Sequence, residues 1–271
     1  PYIHGFDKVI VLASKSTLLK LKDMEWLVKV HIDVFEKHFI VRALWQRFCL
    51  ARIAKKYKAD VLFVPGGSFS TSFEPIVTIS QNLLPFMFRE LFRYKVSFFT
   101  LKLLLLRIAQ SLSFKKADGV IFLTQYAKST VVASTGVLKA RVKTIPHGIN
   151  PKFFISPKKQ FDIVNYSDAN PFKLLYVSVI DAYKHQWHVA HAIKLLRAEG
   201  LPISIDFVGP ANPKFLPLLE EEIGGVDYIK YKGAIDFNEL HKTYEASDAF
   251  VYASSCENLP NILIEAMAAG L

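Results

Sequence analysis

The stretch AFVYASSCENLPNILIEAMAA, Ala249–Ala269, decides how the rest of the chain is read. Ala249–Tyr252 is a short apolar run with the composition of a buried strand, and the periodicity from Asn261 to Ala269 predicts a helix. Pro260 suits the first helical position, where its missing N–H costs nothing. Glu257 then falls in the turn between them, at the carboxyl edge of the sheet, where open α/β sheets bind ligands. The helix start offers free N–H groups and a positive dipole end to a diphosphate. Glu265 lies five residues past Pro260, about 7–8 Å along the axis at 1.5 Å per residue. Two carboxylates are thus spaced along a phosphate-binding helix start, and carboxylates accept well from paired hydroxyls.

Outward from this stretch, strand-like and helix-like runs alternate. Lys8–Ala13, Asp60–Val64, Ile76–Ile79, Gly119–Leu123, Val142–Ile145, Lys173–Val179 and Ile203–Val208 read as strands; Val41–Ile53, Ala190–Ala198 and Phe215–Ile223 read as helices. Short apolar strands between amphipathic helices imply parallel sheets covered on both faces. Residues 156–171 are polar and lack a clean period, and 154–171 are expected to link two α/β domains, 1–153 and 172–271. The 271 residues start at Pro1 and stop at Gly270-Leu271, and read as a piece cut at both ends, lacking a first strand and inactive alone.

With 51% hydrophobic and 21% charged residues the chain is a packed globular protein, and its net charge of +10 invites an acidic partner. Cys49 and Cys256 make no disulfide framework, which points to a reducing, cytoplasmic setting. No uncharged run reaches the roughly 18 residues of a membrane span. Residues 83–114 mix grease with positive charge. Leu101, Leu105, Ile108, Ala109 and Leu112 form one stripe, expected to face the core. Leu103, Leu104 and Leu106, beside Lys102 and Arg107, point the other way. That second face reads either as a seat on an anionic membrane surface, the inner face of the membrane for a cytoplasmic protein, or as part of a helix buried on nearly all sides.

The run SSCENLPNILIEAMA resembles the Glu-x7-Glu motif of retaining glycosyltransferases of the GT-B fold, in particular glycosyltransferase family 4 (group 1 glycosyl transferases). The resemblance implies two Rossmann-like domains facing a cleft, and a hexose, such as mannose or glucose, moved from a UDP- or GDP-sugar to the hydroxyl of a glycan or lipid-linked acceptor. It makes Glu257 face the donor sugar and Glu265 hold the ribose, while Asn258, Leu259, Pro260 and Asn261 present backbone to phosphates and sugar. Tyr176–Lys184 resembles the first strand and loop of the family's donor domain. Lys184 stands where the family has a diphosphate lysine; Val179 occupies the place of its usual arginine. Phe207-Val208-Gly209-Pro210 matches the next strand and its glycine end, and backbone near Gly233 and Ala234 is implied to meet the nucleobase. The match covers residues 172–271 well and the first half loosely. There, Gln81 and Asn82 stand in a loop that resembles the acceptor side, where many members carry a histidine.

The residues themselves leave alternatives at several points. Asn82 also suits a turn or helix cap. Gly66-Gly67 after a strand either lets a substrate approach or simply turns the chain. His147, at the expected domain junction, is more often a structural than a catalytic histidine. No cofactor is expected beyond the donor. Histidines without ligand spacing, and the lack of Asp-x-Asp, do not indicate a metal. The absence of G-x-G-x-x-G and Walker A patterns argues against dehydrogenases and P-loop ATPases. Charge interleaved with leucine fits membrane better than nucleic acid. Two other classes remain: an epimerase or phosphorylase on the same fold, and a non-catalytic basic membrane-associated protein.

Overall fold

The computed structural model describes residues 5–271. Along the chain it places β1 (Val9–Ala13), α1 (Lys15–Leu18), β2 (Leu27–His31), α2 (Phe39–Trp45), α3 (Ala51–Lys56), β3 (Leu62–Val64), β4 (Ile76–Ser80), α4 (Phe88–Leu91), α5 (Phe98–Lys116), β5 (Gly119–Phe122), α6 (Gln125–Thr135) and β6 (Arg141–Thr144). Then come β7 (Phe172–Val177), α7 (Gln186–Ala198), β8 (Ile203–Val208), α8 (Leu216–Ile223), β9 (Ile229–Tyr231), α9 (Leu240–Glu245), β10 (Ala249–Phe250) and α10 (Asn261–Ala268). A π-turn at Gln46–Leu50 joins α2 to α3. The expected α/β alternation with parallel sheets is what the structure shows.

Two compact units divide the chain, and they are interleaved in sequence. The first holds the described residues up to Gln81 with 105–122 and 131–144; the second holds 82–104, 123–130 and 145–271. In the first unit β3-β4-β5-β6 form a parallel sheet in sequential order, and β1 pairs with β2 in a small sheet of its own. The sequence reading did not foresee β2, whose Leu27–His31 carries a lysine and a histidine in a five-residue run. Ile76, Val120, Phe122 and Phe114 are buried beneath the main sheet, with the Phe114 and Phe122 rings 6.2 Å apart.

In the second unit the parallel order is β10-β7-β8-β9. Side chains on β7 alternate between two cores, as the period of a strand requires. Tyr176 packs with Ile205, Phe207, Ala190, Ile193 and Leu219 on one face. Leu175 and Val177 pack with Phe153, Tyr244, Ala266 and Ala269 on the other. Covering both faces explains the unbroken apolar run LLYV at 174–177 of β7, whereas β8 alternates Ser204 and Asp206 with its apolar residues. The chain leaves β7 toward β8 on one side and returns to β10 on the other. The point where strand order reverses therefore lies between the carboxyl ends of β7 and β10, and crevices of open α/β sheets form there.

One expected face is reversed. Leu101, Leu105, Ile108 and Leu112 of α5, expected to face the core, are exposed, Leu112 at 64%. Leu103 is buried at 4%, together with Gln110, Ser113 and Phe114. Ser113 lies on the inner side with partners there, and Gln110 is partnered there at its amide nitrogen but not at its oxygen. Gln110 Nε2 donates to Gly66 O at 3.4 Å, and Ser113 Oγ donates to Ala109 O at 2.8 Å and accepts from Phe69 N at 3.0 Å. A buried polar group that is hydrogen-bonded avoids the desolvation cost that would otherwise exclude it.

Candidate functional site

The loops after β7 and β10 flank the reversal point, and the sequence folds each one tightly. Gly209 sits at the end of β8 with φ +138°. A Cβ there would lie 2.1 Å from Ser178 O, so only glycine lets the two strand ends approach. Gly209 N donates to Gly233 O at 2.8 Å, and Tyr231 Oη donates to Gly209 O at 3.0 Å. Loop 178–185 is then pinned from several sides. Gln186 Nε2 donates to Val179 O at 2.8 Å, Ile180 N to Pro210 O at 2.9 Å, and the buried Tyr176 hydroxyl to Lys184 O at 2.6 Å. The loop ends at His185, a non-glycine residue with φ +59°, before α7 begins. Such conformations persist where the surroundings hold them.

Lys184 and Glu257 meet across these loops. Lys184 Nζ donates to Glu257 Oε1 in an ion pair, and Ser254 Oγ donates to the same oxygen at 2.8 Å. The lysine side chain is buried and the glutamate partly so. Ser254 Oγ and Ser255 N also contact Tyr183 O, at 3.3 and 2.9 Å, which stitches one loop to the other. Cys256, buried beside them, has its thiol pushed up to about 12 by burial and by the Glu257 and Glu90 carboxylates, which keeps it a thiol at neutral pH.

Helix α10 begins at Asn261, and Pro260 is the residue before it rather than the first helical residue. Leu263 N and Ile264 N both donate to Pro260 O, at 3.1 and 3.3 Å. The strand before it, β10, has two residues rather than four. Glu265 is buried and accepts from Tyr244 Oη at 3.0 Å. Burial raises its pKa, against the lowering effects of the Tyr244 hydrogen bond and the charge of Lys152. Glu265 lines a cleft of about 220 Å³ with Asn261, Ile264, Phe237, Phe153 and the backbone-rich run Gly148–Asn150. Lys152 Nζ stands 3.3 Å over the Phe237 ring at this cleft.

Of the other residues singled out from the sequence, Asn258 O lies 3.4 Å from Thr124 Oγ1, which donates to it, and Leu259 is partly buried in the same turn. Gly233 has φ +69° with open space where a Cβ would stand, next to Ala234. Asn82 Oδ1 accepts from Leu84 N at 3.0 Å, the turn that its sequence also suited, and Gln81 is exposed. Gly66 and Gly67 pack on Gln110, whose Nε2 would be 3.0 Å from a Cβ at Gly67. His147 is partly buried next to the cleft residue Gly148. Among the described residues no group of three or more His, Cys, Asp or Glu side chains gathers as a metal-ligand set.

Sequence reasoning missed Glu90, Arg93, Ser255 and His185, which join at the same loops. Glu90, on α4 in the second unit, is buried; its Oε2 accepts from Arg93 Nε at 2.6 Å and from Ser255 Oγ at 2.8 Å. His185 Nε2 lies 3.0 Å from Ser255 Oγ. Burial, then the charges of Arg93 and His188, lower the pKa of His185. One signal was available: Glu90 is the only acidic residue from Pro75 to Ala117, amid seven lysines and arginines.

The sequence model of the family "Glycosyl transferases group 1" matches residues 158–271. The sequence of this segment is similar to that family. The match spans β7 to α10 and so holds Lys184, Glu257 and Glu265. A comparison with curated proteins finds no match. Solved structures share the fold. A sucrose-phosphate synthase from Thermosynechococcus elongatus is 19% identical, with 99% of this chain and 71% of that one covered and a TM-score of 0.70. WaaG, a glycosyltransferase involved in lipopolysaccharide biosynthesis, is 17% identical, with 93% and 69% covered and a TM-score of 0.65. HepE of Anabaena, solved in complex with UDP and glucose, is 16% identical, with 90% and 65% covered and a TM-score of 0.59. The expected GT-B fold agrees with these structures, and the expected likeness to group 1 glycosyl transferases agrees with the match over residues 158–271.

Proposed function

We propose that the protein moves a hexose from a nucleotide sugar to an acceptor hydroxyl with retention at the anomeric carbon. The observation that carries this reading is the meeting of Lys184, Glu257 and the start of α10 at the strand-order reversal, inside a group 1 glycosyl transferase segment. The donor diphosphate lies at the N-terminus of α10, and Lys184 exchanges its carboxylate partner for phosphate oxygen. Glu257, released from that pair, accepts from the hydroxyls of the donor sugar. Glu265 and Asn261, in the cleft with Phe237, take the ribose and base, with the backbone near Gly233 and Ala234. The UDP and glucose bound by HepE favour a UDP-sugar over a GDP-sugar. The leaving diphosphate oxygen takes the acceptor proton, so no separate base is required.

The acceptor is a glycan or lipid-linked saccharide, and the enzyme works at an anionic membrane surface in cell-surface polysaccharide or glycolipid synthesis. The support is the exposed run Phe88–Lys102. Phe88, Phe92, Val96, Phe98 and Leu101 stand in solvent beside exposed Arg89, Lys95 and Lys102, while the lone acid, Glu90, is turned inward. Apolar and basic side chains together complement lipid tails and anionic headgroups. Among the described residues no helix is long and apolar enough to cross a membrane. Incubation of the full-length protein with radiolabelled UDP- and GDP-hexoses, with and without acceptor, tests the reaction. Transfer with retained anomeric configuration, lost by at least about a hundredfold in Glu257→Ala and in Glu265→Ala, supports it; wild-type transfer in both variants refutes the site.

A further inference from the structure

The segment 84–103 and the two loops that carry Lys184 and Glu257 lie in the same compact unit. Leu84, Leu91, Tyr94 and Leu103 share a buried cluster with Ala182, Phe215 and Cys256, so the segment packs directly on both loops. Two polar contacts fix its register. Tyr94 Oη donates to Asp181 Oδ1 at 2.8 Å, and that oxygen also accepts from Ala182 N at 2.6 Å. Glu90 Oε2, held by Arg93, accepts from Ser255 Oγ. A serine hydroxyl has one proton, and the 2.8 Å contact to a carboxylate takes it. His185 Nε2 therefore donates to Ser255 Oγ, which gives a directed chain from His185 through Ser255 to Glu90. Ser255 and His185 are each within two residues of the two charged groups proposed to hold the donor.

We infer that Glu90 is a positioning residue: through Ser255 and His185 it holds the Lys184 and Glu257 loops at the separation in which both groups reach one donor. Glu90 touches no substrate. A buried carboxylate needs partners to stay charged in the interior, and here the partners are a guanidinium on its own segment and a hydroxyl on the donor loop. That pairing makes the donor loop part of the condition for burying the charge. The inference rests on the proposed donor site, which it deepens by naming what sets its geometry.

The test uses the full-length protein with Glu90→Ala, Ser255→Ala, their double variant, and the conservative Glu90→Gln and Ser255→Thr. Two readouts are taken: amide hydrogen exchange across residues 181–187 and 253–259, and donor KM against acceptor KM. The expected result is about tenfold faster exchange in both loops and about a tenfold higher donor KM in either alanine variant, the effect of one hydrogen bond to a charged group. Acceptor KM stays at its wild-type value, the double variant is no worse than the single ones, and Ser255→Thr recovers most of the loss. Exchange at the wild-type rate in both alanine variants overturns the inference, and so does faster exchange with an unchanged donor KM. A wild-type protein that transfers no sugar removes the functional reading, and the exchange rates still decide whether Glu90 holds the loops.

Discussion

Gly209 and Gly233 are both glycines at sheet ends, yet only one is confined by packing. The carbonyl of Ser178 fills the place of a Cβ at Gly209, whereas nothing stands within 4 Å of that place at Gly233. Gly209→Ala must push apart the ends of β7 and β8, and it is expected to cost about 3 kcal/mol in urea unfolding with an unchanged m value. Glu265 shows a different tension. Its carboxyl pKa is raised, so the folded state binds the proton more tightly than the unfolded one. The stability associated with this group is full below the unfolded pKa and is lost as pH rises through the folded pKa. Glu265→Gln keeps an oxygen for the Tyr244 hydroxyl and removes the buried charge. Thermal melts are expected to show the variant more stable than wild type at pH 7, with the difference shrinking toward pH 4. Nucleotide binding is expected to weaken in the same variant, since the uncharged amide is a poorer partner for ribose hydroxyls.

At the level of elements, the strand–turn–helix at 249–268 was legible because its chemistry is local: apolar strand, polar turn, proline, amphipathic helix. The face of α5 was not. Eight of the twelve positions from Leu101 to Leu112 are apolar, and they leave the helical period compatible with two opposite stripes. The inner one is marked by contacts off the helix: Leu103 packs with Ala182, Phe215 and Cys256, Gln110 Nε2 donates to Gly66 O, and Ser113 Oγ accepts from Phe69 N. Leu103→Ala is expected to cost about 2–5 kcal/mol as a cavity in a packed interior. Leu112→Gln is expected to change stability by about 0.5 kcal/mol or less, in keeping with an exposed position. Chemical denaturation of the two variants distinguishes the observed face from the opposite one. Glu90 escaped the sequence reading for a related reason: its partner Ser255 is 165 residues away, and no periodicity joins them.

For the whole molecule, the net charge of +10 gains meaning only once its placement is known. Basic residues beside exposed phenylalanines predict binding to vesicles rich in anionic lipid, weakened as salt screens the charge and absent on neutral vesicles. Phe92→Ser with Lys95→Glu is expected to reduce flotation with anionic vesicles about tenfold, since each basic residue near such a surface contributes on the order of 1 kcal/mol. Transfer to a water-soluble acceptor should stay at the wild-type level in the same protein.

The interleaving of the two units has a temporal side. Residues 82–104 leave the ribosome early, but the groups they pack on, from Asp181 to Cys256, are made much later. Links such as Tyr94 to Asp181 and Glu90 to Ser255 close loops of 87 and 165 residues, and such closures come late and slowly in folding. Until then Leu84, Leu91, Tyr94 and Leu103 have no native cover, so the nascent chain carries a greasy, basic segment while the residues between 104 and 256 are made. Such a segment is what chaperones bind. Permuting the gene so that 82–104 follows its packing partners is expected to lessen that dependence.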